Sequence, residues 1–219
     1  MTVSPMPRKK LYKMHSLAAF ANVIEGVPNF KGQWAASYFK NDFPITIELA
    51  CGKGEYTIAL AQRFPNRNFI GLDIKGVRLW SGAKRALALN LKNAAFLRMK
   101  IDQISDCFAE NEVDEIWLTF PDPYPKHRRG HHRLTTARFL KVYRTILKPG
   151  GLIHLKTDDP VLYEFTMAAV KSEGGRIHEA IDDLYAQSHD DDVLTIKTTY
   201  EAKHLARGDT IKYVKFSLE

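Results

Sequence analysis

Residues 45–73 read ITIELACGKGEYTIALAQRFPNRNFIGLD, and the order of residue types in this stretch decides the fold. ITIELA is a short β-rich run, EYTIALAQRF an amphipathic helical stretch and NFIGLD a second β-rich run. Between the first strand and the helix stand Gly52 and Gly54, which let the backbone turn sharply and come close to a ligand at the helix N-terminus. Strand, glycine turn, helix and strand in succession predict a βαβ unit, and with it a parallel sheet.

The rhythm continues along the chain. VRLWSGAKRALALN predicts a helix, AAFLRM a strand, VDEIWLTF a strand, RLTTARFLKVYRTIL a helix, GGLIHLKT a strand and VLYEFTMAAVKSEG a helix. The turn Lys148-Pro149-Gly150-Gly151 is expected to separate helix from strand. GGRIHEAIDD and TIKYVKFSLE read as strands with little helix between them, which predicts an antiparallel pair at the C-terminal sheet edge. The fold class is therefore α/β, a doubly wound Rossmann-like sheet, mostly parallel. Residues 1–40 read as a basic N-terminal arm in which HSLAAFANVIEG forms a short helix closed by Gly26.

The bulk numbers narrow the function. At 219 residues and 45% hydrophobic the chain suits one substantial domain. Lys plus Arg is 32 against 25 for Asp plus Glu, a net charge of +7 that favours a polyanionic partner. Two cysteines, Cys51 and Cys107, give little support for a disulfide framework, and a reducing cytoplasm is the simplest compartment. No stretch approaches the roughly eighteen apolar residues of a membrane span, so no membrane partner is expected.

The glycine turn also indicates the ligand. A dinucleotide fingerprint calls for a third glycine where Thr57 stands. Here Glu48 precedes the turn and Glu55 follows it, and two carboxylates repel a pyrophosphate. A ligand with a cationic amino group, a sulfonium centre and a ribose fits better, which describes S-adenosylmethionine; a nicotinamide cofactor is the alternative. Asp73, closing the second strand, is placed to take both ribose hydroxyls.

A second constellation follows VDEIWLTF. In a doubly wound sheet the substrate lies beyond the carboxyl ends of the strands, and there Phe120-Pro121-Asp122-Pro123-Tyr124-Pro125 begins. Three prolines restrict the chain, so Asp122 is presented stiffly. Tyr124 offers a face for a base, and Lys126, Arg128, Arg129 and Arg133 can meet phosphates. His127, His131 and His132 lack a complete metal-ligand set, as do Asp190 to Asp192, and no metal is expected.

These residues carry a family resemblance. From Ile45 onward the chain resembles the bacterial tRNA (guanine-N7-)-methyltransferases, class I enzymes that use S-adenosylmethionine. The marks are Glu48 to Gly54, Thr119-Phe120-Pro121-Asp122-Pro123-Tyr124-Pro125-Lys126 with Leu134-Thr135 beyond it, His154-Leu155-Lys156-Thr157-Asp158, and Thr198-Thr199-Tyr200-Glu201. The resemblance implies a methyltransferase domain over residues 41–219, with tRNA as partner, a guanosine at conventional position 46 of the variable loop as target, and 7-methylguanosine as product. It implies that Glu48, Asp73 and Asp122, with the turn glycines Gly52 and Gly54, line the cofactor site, and that Asp122 is the catalytic carboxylate. Lys126, Asp158 and Thr198 to Glu201 would hold the guanosine. Tyr124 stands where the family has Trp, and His131 and His132 replace a Lys-Arg pair. The acidic residue after the third strand aligns with Lys100, while Asp102 lies two positions later, which leaves the adenine-side contact unassigned. Methylation of an exocyclic amino group and a non-catalytic RNA-binding role are the rival functions, and monomer and homodimer both remain open.

Overall fold

A computed structural model describes residues 8–125, 127–186 and 192–218. The parallel core comprises β2 (Ile45–Leu49), α2 (Glu55–Arg63), β3 (Asn68–Asp73), α3 (Gly76–Ala88), β4 (Ala94–Arg98), α4 (Ile104–Cys107), β5 (Val113–Thr119), α5 (Ala137–Ile146), β6 (Leu147–Thr157) and α6 (Pro160–Ser172). Ahead of it come α1 (Arg8–His15) and β1 (Val23–Glu25); after it come β7 (Arg176–Ile181), α7 (Thr199–Leu205) and β8 (Lys212–Ser217). The eight strands form one sheet in the order β1-β4-β3-β2-β5-β6-β8-β7. The chain winds outward from β2 through β3 to β4, then returns to the other side of β2 with β5 and β6. The switch point lies between β2 and β5, where Thr46 to Leu49 pair in parallel with Glu115 to Leu118.

Every residue of β2 and β3 is buried, which is why these strands read as continuous apolar runs rather than alternating ones. One core face collects Ile47, Leu49, Ile70, Leu118 and Leu155 with Phe139 and Tyr143 of α5. The other collects Tyr56 and Leu60 of α2, Leu79 and Ala83 of α3, Phe96 and Trp117. The C-terminal edge is antiparallel as expected, with β8 inserted between β6 and β7 and antiparallel to both.

Three local expectations are revised. The segment read as a helix up to Gly26 contains a 3-10 turn, Leu17–Ala19, and then β1, whose Val23 and Ile24 pair in parallel with Phe96 and Leu97. Asn22 fixes this edge: its carbonyl accepts from the Phe96 N–H at 2.8 Å, and its side chain donates to the Ala83 carbonyl at 3.0 Å. The Lys148 to Gly151 turn lies within β6 as an irregularity, where pairing shifts from Val113 with Leu147 to Glu115 with Leu152. Arg133 to Thr136, read as the first turn of a helix, precede α5. No helix among the described residues is long and apolar enough to cross a membrane.

Candidate active site

The chain leaves β2 and β5 through two strained residues: Ala50 has φ 58° and Phe120 φ 52°, a left-handed conformation that non-glycine residues seldom hold. Glu48 ties the two strand ends together. Its carboxylate accepts from the Thr119 hydroxyl at 2.5 Å, from the Thr57 N–H at 2.9 Å and from the Thr57 hydroxyl. Thr57, in the place of a fingerprint glycine, thus serves to anchor a carboxylate at the N-terminus of α2. Glu48 is only 3% exposed, and burial, offset in part by these hydrogen bonds, pushes its pKa up to about 7.

Two cavities open over these strand ends, of about 360 and 210 Å3, and share Ala50, Arg78, Phe120 and Asp122 in their walls. Asp73 lines the smaller one, and its two oxygens accept from the backbone N–H groups of Gly52 at 2.9 Å and Lys75 at 2.7 Å. Gly52 has φ 58° and Gly54 φ 63°; a side chain at Gly54 would meet the Phe96 ring at 2.3 Å. Ile74, Met99, Ile101 and Phe139 also line the smaller cavity. Lys100 and Asp102 line it too, and Asp102 pairs with Arg138 at 2.5 Å. Apolar side chains beside a strand-end carboxylate, next to a buried acid, Glu48, with no ion pair among the described residues, suit a nucleoside carrying a positive charge.

Asp122 is exposed and lines both cavities. Its loop is held from both sides. The Phe120 N–H donates to the Lys156 carbonyl at 2.8 Å, and the Phe120 ring packs on Tyr200 at 5.5 Å. On the other side Arg133 donates to the Pro123 carbonyl at 2.9 Å and the Tyr124 carbonyl at 3.3 Å, while its guanidinium stacks 4.6 Å over Phe165. Arg133 is 8% exposed, so it is a fastening of the loop and not the phosphate contact that the basic run suggested. Tyr124 sits against His132 at 5.4 Å in the wall of the smaller cavity.

The larger cavity is closed by residues far along the chain. Asp158, Thr198, Thr199 and Tyr200 line it, and Tyr200 is 52% exposed. Glu201 is drawn back from it, fully buried: its carboxylate meets Lys156 Nζ at 2.7 Å, accepts from the Tyr185 hydroxyl at 2.7 Å and closes a capping box with Thr198. Lys156 is also fully buried and donates to the carbonyls of Leu194 at 3.0 Å and Ile196 at 3.2 Å. Burial lowers the Lys156 pKa, an effect that Glu201 opposes. This pair stitches the segment before α7 to β6 and so presents Thr198 to Tyr200. Behind Asp158 its Oδ2 lies 3.0 Å from His204 Nδ1. Lys126 lies outside the described residues, as do Asp190 and Asp191.

Comparison with known proteins identifies the family. A family model described as "Putative methyltransferase" matches residues 42–214. A tRNA (guanine-N(7)-)-methyltransferase of Porphyromonas gingivalis is 51% identical over 86% of this chain and 77% of its own length. One from Christiangramia forsetii is 44% identical over 97% of this chain and 99% of its own. The chain belongs to the tRNA (guanine-N(7)-)-methyltransferase family. Solved structures support the fold: an antibiotic-related methyltransferase has a TM-score of 0.65 at 18% identity, covering 87% of this chain and 94% of its own. A 16S rRNA (adenine(1408)-N(1))-methyltransferase from Catenulisporales acidiphilia, solved with its cosubstrate SAM, has a TM-score of 0.62 at 17% identity, covering 88% and 93%. In this methyltransferase, sequence reasoning missed Arg78, which lines both cavities, Phe120 as a packing partner of Tyr200, and Lys156 behind Glu201. Phe120, beside Asp122, and Lys156, within the His154 to Asp158 motif, carried a local signal, and Arg78 carried none.

Proposed function

We propose that this enzyme transfers the methyl group of S-adenosylmethionine to N7 of the guanosine at conventional position 46 in the variable loop of tRNA, forming 7-methylguanosine. The observation that carries the reading is that Asp122 stands in the common wall of two cavities, one with apolar side chains beside Asp73 and one lined by Asp158 and Thr198 to Tyr200. The names of the close relatives supply the tRNA and the N7 atom. A tRNA substrate supports a cytoplasmic location as part of this reading.

Glu48, Asp73 and the Gly52 to Gly54 turn hold the donor, with Asp122 at its reactive end. Bound S-adenosylmethionine supplies an electrophilic methyl on a sulfonium. Guanine N7 already carries an in-plane lone pair, so no residue has to remove a proton before attack. The protein therefore aligns the base and stabilises the positive charge that develops on the purine. Asp122 does both, fixed by Arg133 and Phe120. The ring of the exposed Tyr200 offers the stacking face, Asp158, Thr198 and Thr199 meet the guanine edge or its ribose, and Glu201 acts through Thr198.

Two substrates test the assignment: unmodified tRNA and the same tRNA with adenosine at position 46. Labelled methyl is expected to enter the first and not the second; equal incorporation would refute the position. Asp122→Ala is expected to lower turnover by about 10² or more with folding intact, and near-normal turnover would remove Asp122 from the mechanism.

A further inference from the structure

Glu55 begins α2 immediately after the donor turn, yet its carboxylate reaches across the larger cavity to the start of α7. Its Oε2 accepts from the Thr199 backbone N–H at 2.6 Å, and its Oε1 accepts from the Thr199 hydroxyl. Glu55 and Thr199 are the first residues of their two helices, so two helix N-termini meet at this point. The positive ends of two helix dipoles repel one another, and a carboxylate between them is stabilised by both. The other cap residues are held elsewhere: Thr198 and Glu201 satisfy one another in the capping box, and Glu201 also meets Lys156 of β6 and the Tyr185 hydroxyl. The Glu55 contact is thus what fastens this cap to the donor turn.

Each end of the bond belongs to a different ligand. Gly52, Lys53 and Glu55 line one wall of the larger cavity, and Thr198 to Tyr200 line another. The turn is shaped by the positive φ of Gly52 and Gly54 and by the bond from Gly52 to Asp73, so a donor seated on it fixes the direction in which Glu55 leaves. The Glu55 to Thr199 bond is exposed, unlike the buried Lys156 to Glu201 pair behind the same segment, so it opens at low cost when the turn is unsupported.

We propose that Glu55 is a positioning residue that couples the two halves of the site: a donor on the glycine turn, acting through Glu55 and Thr199, orders the Thr198 to Tyr200 segment for tRNA, and tRNA tightens donor binding reciprocally. The inference rests on the function proposed above.

The test is the Kd of unmodified tRNA for the full chain, with and without saturating S-adenosylhomocysteine, the unreactive product of the donor. The ratio of the two values reports coupling whatever a substitution does to either affinity alone. The wild-type protein is expected to bind tRNA about fivefold or more tighter with the product present. Glu55→Ala is expected to bring the ratio close to one. Thr199→Ser, which keeps the hydroxyl, retains it, and Thr199→Val reduces it. No tightening in the wild type, or full tightening in Glu55→Ala, overturns the inference. Failure of the wild type to bind either ligand would instead remove the proposed function, and this inference with it.

Discussion

Replacing Lys156 with methionine tests how the Thr198 to Tyr200 wall of the candidate site is held. The substitution keeps an unbranched stem of similar reach in the core and deletes only the ammonium. In the native structure Nζ meets Glu201 Oε1 at 2.7 Å and donates to the carbonyls of Leu194 and Ile196, and neither Lys156 nor Glu201 is exposed. Without the ammonium, Glu201 is left as a buried carboxylate supported by the Tyr185 hydroxyl and its own capping box. Breaking one side of a buried pair in this way costs about 3 to 5 kcal/mol, a large share of the roughly 5 to 15 kcal/mol that holds a domain together. Urea unfolding of the wild type, Lys156→Met and the double variant Lys156→Met with Glu201→Gln measures it. The single variant is expected to lose about 3 kcal/mol or more, and the double variant to recover part of that loss because no charge stays buried. A loss below about 1 kcal/mol in the single variant, or a double variant no more stable than Lys156→Met alone, would refute the reasoning.

Glu48 makes donor binding depend on pH. Its folded-state pKa of about 7 lies above the ordinary 4.5, so the native protein holds this proton where the unfolded chain has lost it. Stability of the ligand-free enzyme should therefore fall as pH rises from about 4.5 to about 7, by on the order of 3 kcal/mol, and then level off. A cationic donor favours the ionised carboxylate, so donor Kd should tighten with pH up to about 7, by at most about tenfold per unit, with proton release visible by calorimetry in buffers of different ionisation enthalpy. A Kd that is flat between pH 5.5 and 7.5 would count against it. Arg133→Met is expected to lower kcat about tenfold or more by freeing the Pro123 and Tyr124 carbonyls, and Arg133→Lys should not rescue it. Its salt dependence of tRNA binding should match the wild type, since losing a true phosphate contact would reduce the slope by about one.

The part of the candidate site built from β2, the glycine turn and β3 was legible in the sequence because its pieces are local. A fully buried parallel strand shows as an apolar run, the turn that follows shows as glycines, and Asp73 closes the next strand within the same βαβ unit. The part around Asp158 and Thr198 to Tyr200 is assembled from residues distant along the chain, and its wiring left no local trace. Nothing near Glu55 announces Thr199, 144 positions away. Nothing near Lys156 announces that its ammonium is buried against Glu201. Arg133, one of several cations in a basic run, was read as a surface charge because only the fold brings Phe165 beneath it. Likewise β1 is three residues of edge strand whose identity comes from its partner β4, and from its own composition it passed for helix.

Nucleoside analysis of the product is the most direct test of the account. Wild-type protein would be incubated with labelled S-adenosylmethionine and unmodified tRNA, the tRNA digested to nucleosides, and the label assigned by chromatography and mass. The proposed function predicts that the label appears as 7-methylguanosine. Label on the exocyclic amino group of guanosine, or on another nucleoside, would contradict the central claim.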